Sequence, residues 1–270
     1  MICTDKEYYI EKALVGKLDL MLERYKMNRD SLIIVDGGEG DGKSTATIGW
    51  GYYLAHALKK EFSVDNVFFD VEKMMKFASS TEGQVIVWDE ACVAGMAMQW
   101  RSRLQQKLIQ ILMMARKKKH FWFFVIPKFW KLNEYIVDRA VCLIHCYSPD
   151  MVKRGYFVYF MKDSKDFLYE KFKKKISKSY KTGWNFRGTF VKKGFVIDDK
   201  EYDRKKDEAI AAIFKDDEPK IDFKAKKTKE QLKITIKRLA KHECRTEKNI
   251  CEELGINYGT YSHIGGVVPI

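Results

Sequence analysis

Long apolar runs are missing from this sequence. No stretch reaches the roughly 18 consecutive apolar residues that a membrane-spanning helix needs. The first residues, MICTDKEYYIEK, contain no basic segment followed by an apolar one. We therefore expect no membrane span and no secretory signal. The six cysteines are spread along the chain without a C-x-x-C pair, a pattern that suits a reducing cytoplasm.

Metal-site spacings of cysteine and histidine are also missing. Two groups of these residues lie close in sequence: Cys142, His145 and Cys146, and His242, Cys244 and Cys251. Neither group has a second ligand pair at the spacing of a zinc site, so we favour ordinary structural positions over zinc ligands.

The composition is that of a folded, basic protein. With 270 residues, 46% hydrophobic, the chain is long enough for one large domain and a small appendage. The formal charge is +13, and its lysines are concentrated in residues 116–120, 170–181 and 223–229. Solvated surface lysines would explain part of this excess. Clustered cations favour an anionic polymer as partner, because each phosphate they neutralise releases counterions. We therefore expect the chain to bind DNA.

A glycine-rich loop follows the first strongly apolar segment, in "SLIIVDGGEGDGKST" at residues 31–45. Gly37, Gly42, Lys43 and Ser44 match the spacing G-x-x-x-x-G-K-[ST]. Glycines let successive backbone N–H groups approach a triphosphate, and the N-terminus of the following helix attracts the same anion. The alternative is a glycine-rich turn between a strand and a helix.

The residues of this loop are the predicted ATP-binding residues. They are Gly37, Gly38, Glu39, Gly40, Asp41, Gly42, Lys43, Ser44 and Thr45. In such a loop the lysine reaches the β- and γ-phosphates, and the serine hydroxyl is a ligand of Mg²⁺. We therefore expect ATP and Mg²⁺ as cofactors, with Lys43 as a catalytic residue.

Strands and helices alternate through the first half of the chain. The predicted strands are 32–35, 66–70, 84–91, 120–127 and 140–147, and the predicted helices are 5–28, 45–62, 71–80 and 103–119. The third strand has an apolar run, as expected for a strand covered on both faces. This alternation predicts an α/β fold with a parallel sheet and right-handed crossovers.

The segment "VIVWDE" ends in two carboxylates at the end of a predicted strand. Asp89 is placed to hold the water shell of the metal. Glu90 is placed to polarise a water for in-line attack on the γ-phosphate, which predicts hydrolysis instead of transfer to a bound acceptor. A surface Asp-Glu pair at a strand end is the alternative.

Together these motifs resemble the P-loop ATPases of the additional-strand, catalytic-glutamate division, over roughly residues 30–147. Within that division the sequence is similar to the FtsK–HerA-type and zonular-occludens-toxin-like ATPases of viruses, phages, plasmids and conjugative elements. The resemblance implies the sheet order 5-1-4-3-2, ring oligomers, and movement of DNA or assembly of virions. The family often has a glutamine or another polar sensor after the fourth strand, where this chain has Ile126-Pro127-Lys128. Zonular toxins carry a membrane span, which this chain lacks.

Ring ATPases often supply a cation to the transferring phosphoryl group from a neighbouring subunit. The candidates are Arg101, Arg103, Arg116 and Arg139. We favour Arg101 and Arg116, because their elements are expected to flank the nucleotide edge of the sheet. Surface salt bridging is the alternative for each.

Beyond residue 150 the pattern changes. Residues 154–163 alternate like a strand and are a candidate extension of the sheet. Residues 181–196 resemble aromatic–basic hairpin segments, and 199–214 are expected to form a solvated amphipathic helix. Trp184, Phe186 and Arg187 are candidates for stacking on bases, although packing of the hairpin on the core is favoured. We place the ATPase domain at 1–214 and a charged linker at 215–230.

The segment 231–270 resembles a helix-turn-helix. Thr246 is the expected N-cap of a second helix, and Gly255 the following turn. A structural helical cap is the competing interpretation.

The motifs favour an ATP-hydrolysing DNA motor of a virus or mobile element, acting as a ring. A nucleoside or nucleotide kinase is the first alternative, although the sequence contains no clear arginine-rich lid. A non-motor ATP-dependent DNA-binding switch, like the partition proteins, is the second. Those proteins carry an extra lysine near the start of the phosphate loop, where this chain has Asp36-Gly37-Gly38.

Overall fold

The computed structural model describes residues 2–3, 8–89, 98–150, 152–190, 196–216, 223–243, 245–258 and 261. The chain divides into two compact units, Met1–Ile213 and Phe214–Ile270. Among the helices that the structure describes, none has the length and apolar character required to cross a membrane.

The strands lie in the first unit. In chain order they are β1 (Ile2–Cys3), β2 (Tyr8–Tyr9), β3 (Ser31–Gly37), β4 (Val67–Phe68), β5 (Val85–Asp89), β6 (Phe121–Ile126), β7 (Cys142–Tyr147), β8 (Tyr156–Met161) and β9 (Phe186–Thr189). The first two form a short antiparallel pair. The other seven form one sheet in the order β4-β5-β6-β3-β7-β8-β9.

The predicted α/β fold with a parallel sheet is confirmed. The five parallel strands lie in the order β7-β3-β6-β5-β4, which is the expected 5-1-4-3-2. The order of the complete sheet differs from the prediction, because β8 and β9 extend it antiparallel beyond β7. Residues 181–196 were predicted as hairpin segments, but within the described residues β9 pairs with β8.

The central strands are buried on both faces, which explains their uninterrupted apolar sequences. Every residue of β3, β5 and β6 is buried. Alternate side chains enter two separate hydrophobic clusters: Ile33 and Phe123 belong to one, and Ile34 and Phe124 to the other. The sheet is therefore covered on both sides, as parallel sheets generally are.

Helices cover the sheet and form the second unit. They are α1 (Lys12–Lys26), α2 (Lys43–Ala57), α3 (Val71–Ser80), α4 (Met98–Met114), α5 (Glu134–Arg139), α6 (Lys162–Lys173), α7 (Asp199–Asp216), α8 (Phe223–His242) and α9 (Glu247–Glu253). Prediction and structure agree on α3. The helix predicted at 5–28 begins only at Lys12, because Tyr8 and Tyr9 belong to β2. The helix predicted at 103–119 changes to 3-10 geometry at Ala115.

The second unit contains α8 and α9 around a small core of its own. Ile236, Ile250, Cys251 and Tyr261 are its buried members. Thr246 is the N-cap of α9, where its side chain accepts a hydrogen bond from the Asn249 N–H, as predicted. Gly255 has φ 66°, the left-handed conformation expected of a turn glycine.

The charged segment 215–230 differs from its prediction as a linker. Residues 223–230 form the beginning of α8. Lysine, alanine and glutamine are good helix formers, so a segment can be highly charged and still helical. Most of the predicted recognition helix, "INYGTYSHI", lies outside the described residues, and the DNA-binding role of this unit stays a prediction.

The structure separates the cysteine and histidine residues that lie close together in sequence. On β7, Cys142 and Cys146 face one hydrophobic cluster, whereas the side chain of His145 lies on the opposite face. Burial raises the pKa of the Cys142 thiol to about 12, which disfavours the thiolate that a metal requires. Cys244 lies outside the described residues, and within them the structure contains no cluster of potential metal ligands.

Candidate active site

The glycine-rich loop connects β3 to α2 at the carboxyl edge of the sheet. Two of its glycines are required by the backbone. A Cβ on Gly37 would lie 2.2 Å from the carbonyl oxygen of Cys146 on the neighbouring strand. Gly42 has φ 85° and is the N-cap of α2. The loop therefore packs directly on β7 and delivers the N-terminus of α2, with its unsatisfied N–H groups, to the site.

Lys43 contacts its own loop. Its ammonium nitrogen lies 2.9 Å from the carbonyl oxygen of Gly37 and 2.5 Å from that of Gly38. These carbonyl groups hold the cation at the centre of the loop. Phosphate oxygens are stronger acceptors for an ammonium group than neutral carbonyls, so a triphosphate in this loop would compete for the same donors.

Asp41 stabilises the folded loop. The N–H of Gly38 donates to its Oδ2 over 2.7 Å, and the hydroxyl of Ser148 donates to its Oδ1 over 2.7 Å. The side chain thus connects the loop to the segment after β7. Its predicted role as a phosphate-binding residue can involve only its backbone, since the carboxylate is occupied by these two donors.

Ser44 and Asp89 form a pair of oxygen ligands. Asp89 is the last residue of β5 and is 1% exposed. The hydroxyl of Ser44 donates to its Oδ2 over 2.5 Å, although the two residues are 45 positions apart. A hydroxyl and a carboxylate beside a phosphate loop are the hard oxygen donors that Mg²⁺ prefers. The residues present therefore fit this metal.

Tyr202 of α7 is a member of the site that the sequence analysis missed. Its hydroxyl donates to Oδ2 of Asp89 over 3.0 Å, and its ring packs edge-on against Phe69, with centroids 5.5 Å apart. The segment 199–214 was predicted as a solvated helix, but Tyr202 is only 5% exposed. Tyr202 has charged neighbours on both sides in the sequence, and these favoured the interpretation of an exposed helix. Only the position of Tyr202 in the helical repeat could have indicated that it is buried.

A cavity of about 580 Å³ lies between the loop and α7. Its loop side includes Glu39, Gly40, Gly42, Lys43, Ser44 and Thr45, and its α7 side includes Asp199, Tyr202, Asp203 and Lys206. A volume of this size is within the range of small-molecule sites. Six of the nine predicted loop residues thus share one cavity with Asp89 and with a helix beyond the region of family resemblance, whereas Gly37, Gly38 and Asp41 do not line it.

Arg154, just before β8, also lines this cavity. A Cβ on Gly40 would lie 3.7 Å from its Nη2 atom, so the guanidinium group lies beside the middle of the phosphate loop. No motif identifies this residue in the sequence. The position of Arg154 beside the loop depends on the antiparallel strand β8, which begins at the same edge of the sheet where β7 ends.

The end of β6 provides an apolar wall. Val125, Ile126 and Pro127 line the cavity at the place where the sequence resemblance predicted a polar sensor. The absence of a glutamine in the sequence is therefore matched by an apolar surface in the structure. The segment that follows Pro127 is held by a hydrogen bond to β3, because the N–H of Phe129 donates to Oδ2 of Asp36 over 3.1 Å.

Asp36 is a second buried carboxylate that the sequence analysis did not single out. It precedes Gly37, is 1% exposed, and its Oδ1 lies 2.9 Å from Nδ1 of His145. The hydroxyl of Tyr180 also donates to it, and burial together with this carboxylate raises the pKa of Tyr180. The rings of His145 and Tyr180 are stacked, with centroids 3.6 Å apart. This network fixes the base of the loop.

Of the remaining predicted catalytic residues, only Arg116 has a described side chain. Glu90 lies outside the described residues, and Arg101 lies on α4 with a side chain that is also outside them. Arg116 lies before β6 and Arg139 before β7. The phosphate loop follows β3, so both arginines belong to the opposite edge of the parallel sheet.

The prediction that Arg116 flanks the nucleotide edge of its own sheet is wrong for this reason. Arg116 lines another cavity, of about 660 Å³, together with Arg24, Arg29 and Arg139. Arg139 is paired there with Asp30. Burial, followed by the charge of Arg29, lowers the pKa of Arg24.

The strand order of the sheet and the glycine-rich loop between β3 and α2 together identify the fold. The chain has the fold of a P-loop NTPase. No protein-family model and no curated protein sequence matches it. Three solved structures illustrate its structural similarities.

The first is the N-terminal domain of zonular occludens toxin from Neisseria meningitidis, with 14% identity, a TM-score of 0.38, and coverage of 65% of this chain and 98% of that one. The second is B204, the DNA-packaging ATPase from Sulfolobus turreted icosahedral virus, with 15% identity, a TM-score of 0.36, and coverage of 52% and 96%.

The third belongs to the HORMA:CdnC:Trip13 complex of E. coli MS115-1, with 15% identity, a TM-score of 0.36, and coverage of 51% of this chain and 61% of that one. Similarity at this level concerns the fold alone.

Proposed function

We propose that this P-loop protein binds Mg²⁺-ATP and hydrolyses it. The observation that carries this proposal is the 2.5 Å contact between the Ser44 hydroxyl and the Asp89 carboxylate, beside Lys43. A phosphate-loop hydroxyl and a strand-end carboxylate in contact are the two groups that this class of site uses for its metal.

In the proposed mechanism, Lys43 leaves the carbonyl groups of Gly37 and Gly38 and binds the β- and γ-phosphates. Ser44 and Asp89 would hold Mg²⁺, and the metal would supply positive charge beside the phosphoryl oxygens. Glu90, immediately after Asp89, accepts a proton from the attacking water.

Arg154 supplies a further positive charge within the same subunit. Its guanidinium group lies beside Gly40 of the loop and lines the same cavity as Ile126 and Pro127. A planar guanidinium suits phosphate oxygens better than an ammonium group, because it can donate two parallel hydrogen bonds.

The test of ATP hydrolysis uses Lys43→Ala, with Lys26→Ala as control, since Lys26 is an exposed lysine paired with Glu23. Phosphate release and binding of a fluorescent ATP analogue are measured for both variants. We expect Lys43→Ala to lose hydrolysis at least about a hundredfold and Lys26→Ala to match the wild type. Wild-type protein that binds no ATP would contradict the proposal. Transfer of phosphate to a nucleoside, instead of to water, would favour a kinase.

We further infer that hydrolysis drives movement of DNA or assembly of virions by a ring of subunits of a virus or mobile element. The charge of +13 and the lysines of residues 116–120 and 170–181 support DNA as the partner. Within these segments Arg116, Lys117 and Lys178 are exposed.

The arginines support an oligomer. Arg116 and Arg139 lie at the edge of the sheet opposite the phosphate loop, so neither can act on the nucleotide of its own subunit. If either acts as a catalytic cation, it must do so on the nucleotide of another copy, which requires the subunits to contact each other head to tail.

The mass of the protein tests the ring. We expect ATP analogue and DNA to shift it from smaller species to a closed oligomer, measured by light scattering. A monomer under every condition would exclude the ring while leaving ATP hydrolysis itself open to the Lys43 test.

A further inference from the structure

We propose that Tyr202 is a positioning residue for Mg²⁺: its hydroxyl holds the carboxylate of Asp89 in the orientation that binds the metal. This inference rests on the proposed binding of Mg²⁺-ATP and extends it to α7, beyond the region of family resemblance. The residue acts through Asp89 and is not itself a metal ligand.

The hydrogen-bond geometry places two donors on one oxygen. The hydroxyl groups of Ser44 and Tyr202 both donate to Oδ2 of Asp89, over 2.5 Å and 3.0 Å. The terminal torsion of an aspartate side chain is soft, so one hydrogen bond alone allows the carboxylate plane to rotate. Two donors from different elements, α2 and α7, restrict that rotation.

The ring of Tyr202 is held firmly enough to act in this way. It belongs to the hydrophobic cluster that includes Val196 and Ile197, and Phe69 packs against it edge-on. At the start of α7, the Asp198 carboxylate accepts hydrogen bonds from two N–H groups of the first turn.

The same helix is also attached to the segment before β4. Lys205, three residues after Tyr202, forms an ion pair of 2.5 Å with Asp65 in the turn before β4. The position of the hydroxyl is thus determined by packing and by an ion pair, in addition to its bond to Asp89. This is the arrangement expected of a supporting residue that orients a metal ligand.

A purely structural role makes a different prediction. Buried tyrosine hydroxyls generally need an acceptor, and Asp89 could serve only that need. Removing the hydroxyl would then change the melting temperature but not the affinity for metal. If Tyr202 orients Asp89, metal affinity changes while nucleotide binding without metal does not.

The test compares Tyr202→Phe with Tyr53→Phe in the full chain. The phenylalanine keeps each ring and removes one hydroxyl. Tyr53 is a matched control, because its hydroxyl donates to the exposed carboxylate of Asp19 over 2.6 Å, away from the cavity. Mn²⁺ is titrated by electron paramagnetic resonance in the presence of a non-hydrolysable ATP analogue, and analogue binding is measured separately in EDTA.

We expect Tyr202→Phe to weaken Mn²⁺ binding by about tenfold, the lower end of the effect of removing such supporting groups. Its analogue binding in EDTA should remain within about twofold of the wild type, since Lys43 and the loop are untouched. Tyr53→Phe should match the wild type in both measurements. Wild-type metal affinity in Tyr202→Phe would overturn the proposal.

Two further outcomes are separable. If the wild-type protein binds neither analogue nor Mn²⁺, the proposed function itself fails. If Tyr202→Phe does not fold, Phe69→Leu takes its place, since it retains both hydroxyls but removes the ring contact that orients one of them. Weaker Mn²⁺ binding with unchanged analogue binding would then support the proposal, and unchanged Mn²⁺ binding would overturn it.

Discussion

Ser44, the second residue of α2, lies 2.5 Å from Asp89, the last residue of β5, measured between the hydroxyl oxygen and Oδ2. In the sheet β5 and β3 are separated by β6. The contact therefore reaches across the intervening strand β6. It depends on the path that the loop takes at the carboxyl edge of the sheet. It brings together the two oxygen groups of the proposed metal site, from segments that sequence alone could only suggest as partners.

Glu90 gives the first prediction. Glu90→Gln should bind ATP with wild-type affinity and hydrolyse it at least about a thousandfold more slowly, because the amide cannot accept the proton of the attacking water. Asp89→Asn is the informative comparison, since it should weaken metal binding as well. Single-turnover hydrolysis and equilibrium binding distinguish the two variants. Normal turnover in Glu90→Gln would remove this residue from the mechanism.

Arg154 gives the second prediction. Arg154→Ala should reduce hydrolysis about tenfold and weaken ATP more than ADP, because a guanidinium beside the loop contacts phosphate oxygens. Arg154→Lys should recover part of the loss. Lys153→Ala is the control, since Lys153 is an exposed neighbour paired with Asp150. Equal effects of Arg154→Ala on ATP and ADP would argue against contact with the terminal phosphate.

Arg116 gives the third prediction. If Arg116 acts on the nucleotide of another subunit, Arg116→Ala should bind ATP normally and lose hydrolysis by about a thousandfold. Mixing it with Lys43→Ala should restore part of the activity, since one variant supplies the loop and the other the arginine. ATP hydrolysis as a function of mixing ratio is the measurement. A mixture no more active than the sum of its parts would exclude this role.

DNA binding gives the fourth prediction. Affinity should fall steeply with salt, by about a thousandfold or more between about 50 and 200 mM if six or more phosphates are contacted. Replacing Lys117 and Lys118 by alanine should lower the slope of log K against log salt by about two. Replacing Lys26 should leave it unchanged. A flat salt response in the wild type would contradict phosphate contact.

His120 gives a prediction of pH dependence. It is fully buried, its Nδ1 accepts from the N–H of Gln84, and its Nε2 lies 3.0 Å from the carbonyl oxygen of Ala78. Burial lowers its pKa, and the charges of Lys60 and Lys118 act in the same direction. The unfolded chain therefore binds the proton more readily than the folded one. The contribution of neutral His120 to the free energy of unfolding should be fully present above about pH 6.5, and it should decrease as the pH falls below that value.

The melting temperature between pH 7.5 and pH 5.5, about one unit on either side of the ordinary histidine pKa, measures this effect. His120→Gln should be less stable at neutral pH but should show a smaller decrease on acidification. His242→Gln, at an exposed position of the second unit, should keep the wild-type slope. An identical slope in His120→Gln would assign the decrease to other groups.

Several features followed from local sequence because their causes are local. The apolar runs of β3, β5 and β6 predict buried parallel strands, since each residue of those strands is covered whichever face it occupies. The glycines of the loop could be placed because backbone conformation is a property of single residues: Gly42 has φ 85° and Gly37 allows the close approach of β7.

Other expectations failed where packing overrides pattern. For Phe186 the structure agrees with the favoured alternative of packing on the core, since its ring stacks on Tyr159 with centroids 4.7 Å apart. Tyr202 lies in a helix whose charged residues predict exposure. A single buried side chain changes a helical pattern too little to be recognised without knowing which surface the helix covers.

The sequence by itself determined that a phosphate loop lies between a buried strand and a helix, with Asp89 at the end of another strand. Those statements depend on residue type and spacing along the chain. Only the tertiary structure decided that α7 brings Tyr202 to Asp89, that Arg154 reaches the loop, and that Arg116 lies at the far edge of the sheet. These three positions depend on strand direction and helix packing between residues far apart in the chain, which no local pattern encodes.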